Sequence, residues 1–138
     1  MAVPLIKTKA LKLIISAYYL ITILVHLLVL AKLVPYNWVN GGFSENYQAQ
    51  AIQSIVSIML LSLMFLFALN VLRTISTTQT WKRRLFYALT AFNVLSLVMQ
   101  LMGTNFERFV LAPVVLAGLV LHLRVATHLY KARNSQGK

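Results

Sequence analysis

The 138-residue chain has no cysteine, only 3 prolines and 5 glycines, and just 2 acidic residues, Glu45 and Glu107. Without cysteine there is no disulfide, no thiolate metal site and no thiol nucleophile. Two carboxylates so far apart in sequence do not form an acid–base pair, and neither lies mid-helix, where an Asp/Glu proton relay would need one. The chain also lacks a phosphate-binding loop, a G-x-G-x-x-G run and any His/Glu spacing typical of a metal site. Charged residues make up 11% of the chain, against about 25% in soluble domains. A soluble globular domain is thereby excluded.

What the chain does have is apolar length. It is 59% hydrophobic, with mean hydropathy +0.76. Four apolar stretches, at residues 11–34, 51–72, 85–102 and 109–129, each approach the ~20 residues that span a bilayer as a helix. The first is too long for a signal-peptide core and ends in Val34-Pro35-Tyr36 rather than at a small-residue cleavage site. The expected fold is all-α: one polytopic membrane domain over residues 1–138, with four transmembrane helices in an antiparallel bundle. Residues 131–138 read as a flexible polar tail.

The net charge of +11 follows from topology. Of the 13 basic residues, only Lys32 and Arg108 fall on the side of the first and third connections, where both acidic residues also lie. The others, from Lys7 through Arg73, Lys82, Arg83, Arg84 and Arg124 to Lys138, gather at the two ends of the chain and in the middle loop. The positive-inside rule then places both termini in the cytoplasm. A nucleic-acid partner is not expected, because no polar domain carries a basic face.

Local signals mark the outer connections. Gly41-Gly42 signals a turn, Ser44 with Glu45 reads as the start of the second helix, and Thr104-x-x-Glu107 has capping-box spacing for the fourth. Pro113 is expected to kink that fourth helix, and Gly118 to allow a close neighbour.

Function should show in the polar residues that lipid would penalise. Tyr18, Thr22 and His26 share a face of the first helix, as do Gln50, Ser54 and Ser57 on the second, and Asn93, Ser96 and Gln100 on the third. His26, Thr22, Ser54, Ser57, Asn93, Ser96 and Gln100, overhung by Glu45, Glu107 and Trp38, are the candidates for an outward-facing polar cavity. The competing reading is interhelical hydrogen bonding without a ligand. A bis-histidine haem on His26 and His122 fits poorly. At ~1.5 Å per residue the two lie about 12 and 20 Å below the outer face, whereas two axial ligands need one depth. No cofactor, metal ligand or catalytic residue is expected.

The run His26 to Gly42, with Val34-Pro35-Tyr36-Asn37-Trp38-Val39-Asn40-Gly41-Gly42, and the run Thr104-Asn105-Phe106-Glu107-Arg108 before a proline-bearing helix carry a resemblance. They resemble small bacterial four-helix inner-membrane proteins, similar in architecture to DoxX-like proteins. The resemblance covers the outer loops and two helices, and it implies a bacterial plasma membrane but no activity. From the sparse chemistry, the expected role is a non-enzymatic subunit or scaffold, in the bilayer with a membrane-protein partner or its own copies. The second reading is a lipid or small-molecule binding or transport protein built on the His26 cavity.

Overall fold

The computed structural model describes residues 8–74 and 79–136; Lys7 and Lys138 lie outside them. Four helices form the fold: α1 (Thr8–Leu30), α2 (Tyr47–Arg73), α3 (Thr80–Met102) and α4 (Ala112–Gln136). Each is long and apolar enough to cross a membrane, and no strand occurs among the described residues. Short connections make consecutive helices antiparallel. α1 packs mainly on α2 and α3 on α4, α1 also meets α4, and α2 and α3 touch less than these three pairs.

The helix ends differ from the sequence reading in four places. α1 stops at Leu30 because the chain turns left-handed at Lys32 (φ 59°). The Lys32 and Leu33 amides donate back to the Val29 and Leu28 carbonyls at 3.0 and 2.9 Å, the paired bonds that end many helices. Tyr47 joins this stop: its hydroxyl donates to the Leu30 carbonyl, and the Lys32 ammonium lies 4.6 Å from its ring centroid. α2 is capped by Asn46, not by Ser44 with Glu45. The Asn46 side chain accepts from the Ala49 amide at 2.9 Å, and Glu45 stays outside the helix, exposed.

α3 begins five residues before the predicted start, so Lys82, Arg83 and Arg84 sit near its N-terminus rather than in a loop. The helix dipole opposes cations there by roughly 0.3–1 kcal/mol each. Bonds from Lys82 to Asn70 (3.0 Å) and from Arg83 to Thr80 (3.2 Å) offset part of this. At the other end of the chain α4 stays helical to Gln136, through most of the segment expected to be a flexible tail.

Ahead of α4 the chain forms a π-turn, Glu107–Leu111, in which the Ala112 amide donates to the Glu107 carbonyl. The cause follows two residues later. Pro113 has no amide, and its ring would clash with the carbonyl four residues back in an α-helical turn. Widening the preceding turn relieves both problems.

The packed core occupies the end of the bundle that carries the chain termini. Leu11, Ile15, Tyr18 and Tyr19 of α1 meet Ala68, Val71 and Leu72 of α2, Phe86 of α3, and Leu121, Val125 and Leu129 of α4. On α1 these positions recur every three to four residues, so one stripe faces the bundle axis. Gly118 permits the closest approach: a side-chain carbon there would collide with the Tyr18 ring. The expectation of a small-residue helix contact holds.

Candidate functional site

At the terminal end the polar groups satisfy one another. His122 is fully buried on α4, with Nδ1 2.8 Å from the Gly118 carbonyl and Nε2 2.9 Å from the Tyr19 hydroxyl. A carbonyl only accepts, so Nδ1 carries the proton and Nε2 accepts from Tyr19. Phe86 stacks on the ring at 5.5 Å, and Tyr18 and Tyr19 meet it edge-on at 5.9 and 5.8 Å. With both nitrogens engaged, His122 has no lone pair for a haem iron. The Tyr18 hydroxyl donates to Asn93 Oδ1 (3.0 Å), and the Asn93 amide returns to the Leu89 carbonyl (2.9 Å). Asn93 is therefore spent in helix-to-helix bonding.

The opposite end is built differently. A cavity of about 300 Å³ lies between all four helices. His26 and Thr22 of α1, Ser57 of α2, Ser96 and Gln100 of α3, and Glu107 of the π-turn all line it, six of the ten candidates. Apolar side chains, among them Leu61, Met64, Leu111 and Val115, make most of the remaining wall. Because α1 ends at Leu30, His26 lies four residues from its end, about 6 Å at ~1.5 Å per residue.

The other four candidates lie elsewhere. Ser54 is fully buried; its oxygen lies 3.1 Å from Gln50 Nε2 and 3.4 Å from His26 Nδ1. Asn93 is bonded to Tyr18. Trp38 packs against Phe106 on the outside of the loops, ring centroids 5.5 Å apart. Glu45 is exposed and does not line the cavity.

The connection between α1 and α2 closes this end. Val39 is buried, and with Asn40 it lines the cavity. Asn40, Gly41 and Gly42 are all left-handed (φ 53, 70 and 73°), which explains the paired glycines. This curl turns the Gly41 amide onto the Glu107 carboxylate, 3.0 and 2.9 Å from its two oxygens. Glu107 also accepts from the Thr104 amide at 2.8 Å, while the Thr104 hydroxyl oxygen accepts from the Glu107 amide at 3.3 Å. The expected capping box is thus present. What the spacing did not reveal is its second task, since the same carboxylate fastens the α1–α2 loop. The Thr104 hydroxyl adds a bond to the Trp38 carbonyl.

A polar chain runs from this loop into the bundle. Asn40 Nδ2 donates to Gln50 Oε1 (3.1 Å) and Gln53 Oε1 (2.7 Å), and Ser44 donates to Gln50 Oε1 (2.6 Å). Gln50 continues to Ser54, and Ser54 to His26. Gln50 is fully buried, and nothing in the sequence distinguished it from other polar residues on its helix.

Among the described residues, one buried side-chain atom stands outside every such chain. Gln100 Oε1 is buried and has no hydrogen-bond partner. Among the described residues no group of three or more His, Asp or Glu side chains could hold a metal ion. No family model, curated protein or solved structure matches this chain.

Proposed function

We propose that this chain is an integral protein of a bacterial plasma membrane that holds one small, largely apolar molecule in the cavity around His26. The observation that carries this reading is convergence: polar residues from α1, α2, α3, the π-turn and the α1–α2 loop face one roofed space, with apolar α4 side chains completing its wall. Ligand sites have this character, with mostly apolar walls and a few polar groups, and run from roughly 300 to 1,000 Å³. The basic residues at the terminal end support cytoplasmic termini, and with them a cavity on the outer side of the membrane.

The subunit or scaffold reading, expected from the sparse chemistry, draws further support from exposed apolar faces such as Ile52, Met59 and Leu63 of α2. Lipid covers such faces equally well, so they favour it less.

Purification in a mild detergent followed by native mass spectrometry tests the proposal. The expected result is a small molecule retained at one per chain, and lost in Ser96→Phe, which fills the cavity. A chain that emerges empty, or bound to a stoichiometric second protein with the cavity unoccupied, overturns it.

A further inference from the structure

The chemistry of the cavity lining restricts what the occupant can be. We infer that it is a single-chain amphiphile with an uncharged hydroxyl head, which enters from the lipid between α2 and α3 and bonds to Gln100 and His26. The inference rests on the cavity reading above and makes it specific.

The head group is constrained first by charge. None of the lining residues is Lys or Arg, and the one ionisable acid among them is Glu107. A carboxylate or phosphate head would meet no counter-charge beside a neutral His26 and would face a like charge, at a high cost in a low-dielectric space. An ammonium head would need a carboxylate free to receive it. Both Glu107 oxygens are already taken by the Gly41 and Thr104 amides, so pairing would break the bonds that close the roof.

Hydrogen-bonding valence gives the rest. Gln100 Oε1 is a buried acceptor without a donor. Ser54 Oγ accepts from Gln50 Nε2, and in the arrangement proposed its own proton goes to His26 Nδ1, 3.4 Å away. A neutral His26 ring then carries its proton on Nε2, a donor without a protein partner among the described residues. A hydroxyl can both donate to Gln100 and accept from His26. An unpaired buried polar group is costly, so a ligand that pairs it gains selectivity over one that does not.

The route follows from the walls. Val39, Asn40 and Glu107 close the loop end. Leu60 of α2 and Phe92 of α3 line the cavity and yet are 54% and 56% exposed on the helix surface. They lie across α2 and α3, which touch less than the α1–α2, α3–α4 and α1–α4 pairs. The cavity holds the equivalent of about ten waters at ~30 Å³ each, enough for a head and part of a chain. The rest of the chain would lie between Leu60 and Phe92 in the lipid.

The test loads the full chain, in nanodiscs, with four ten-carbon probes of equal length: 1-decanol, decanoate, decylammonium and decane. Native mass spectrometry then reads the bound fraction. The expected order puts decanol first by about tenfold, with Gln100→Leu removing that advantage while decane binding persists. If decanoate or decylammonium binds best, or if Gln100→Leu keeps the preference for decanol, the hydroxyl assignment is wrong. If all four bind equally and Ser96→Phe abolishes them, the hydroxyl assignment fails and the cavity reading survives. If none binds, both fail. For the route, Leu60→Trp with Phe92→Trp is expected to slow decanol loading severalfold, and unchanged loading overturns lateral entry.

Discussion

The two ends of this bundle solve the same physical problem in opposite ways. Both bury polar side chains among apolar helices. At the terminal end the buried polar groups among the described residues pair with one another or with backbone: Tyr19 with His122, His122 with Gly118, Tyr18 with Asn93. Aromatic rings pack against these groups. At the loop end the polar groups surround a void, and a buried amide oxygen is left without a partner. One carboxylate ties the roof to the start of the fourth helix. Where packing is complete, a histidine is a structural element. Where packing is interrupted, a histidine one turn from its helix end becomes available to something else.

Substitutions at the two ends should separate accordingly. The largest effect is expected from Phe86→Ala at the terminal end, where the side chain is fully buried against His122. In lipid much of the transfer contribution is lost while the cavity cost remains, so a loss of about 2–3 kcal/mol is expected. Thermal unfolding in detergent would measure it, and a loss below about 1 kcal/mol would break the contrast.

Next comes Glu107→Ala. It strands the Gly41 and Thr104 amides, both only partly buried. The loss is therefore expected at about 1–2 kcal/mol in all, below the roughly 1–3 kcal/mol that each fully buried unsatisfied group would cost. The effect should be local: faster hydrogen exchange at Gly41 and Thr104 and faster proteolysis between residues 31 and 46, with the terminal end unchanged. Equal loosening of both ends would show that the carboxylate supports the whole bundle rather than the roof.

The smallest effect is expected from Ser57→Ala. It removes a hydroxyl from a cavity wall and breaks no helix-to-helix bond, so stability should change by less than about 0.5 kcal/mol. A large loss of stability would mean that the cavity is sealed by hydrogen bonding in the folded protein, and the loop end would then resemble the terminal end.

Much of the candidate site is legible from periodicity. Residues spaced by three or four share a helix face, so spacing alone groups Thr22 with His26, and Ser96 with Gln100. The Thr104–Glu107 box is legible because its two members are local. Periodicity does not say how far a face turns toward the axis, or which polar group finds a partner. Ser54 and Asn93 share faces with Ser57 and Ser96 and yet are spent in bonds to other residues. Proximity in sequence to the loop suggests the cavity for Glu45 and Trp38, but the loop curls so that one is exposed and the other packs outside on Phe106. The end of α1 is misleading in the sequence because apolar residues continue to Val34. The stop depends instead on a left-handed lysine and a tyrosine 17 residues from the carbonyl it caps.

The sequence by itself determined that four helices form, that each is long and apolar enough to span a bilayer, and that basic residues collect at one end. These are properties of composition and short-range pattern, and each helix satisfies its own backbone. Tertiary structure alone decided that one histidine is sealed and another faces a cavity. It also decided that Glu107 holds a loop 66 residues away. Such outcomes depend on which side chains from different helices arrive at the same place, and hydrogen-bond partners far apart in sequence leave no trace in the local pattern.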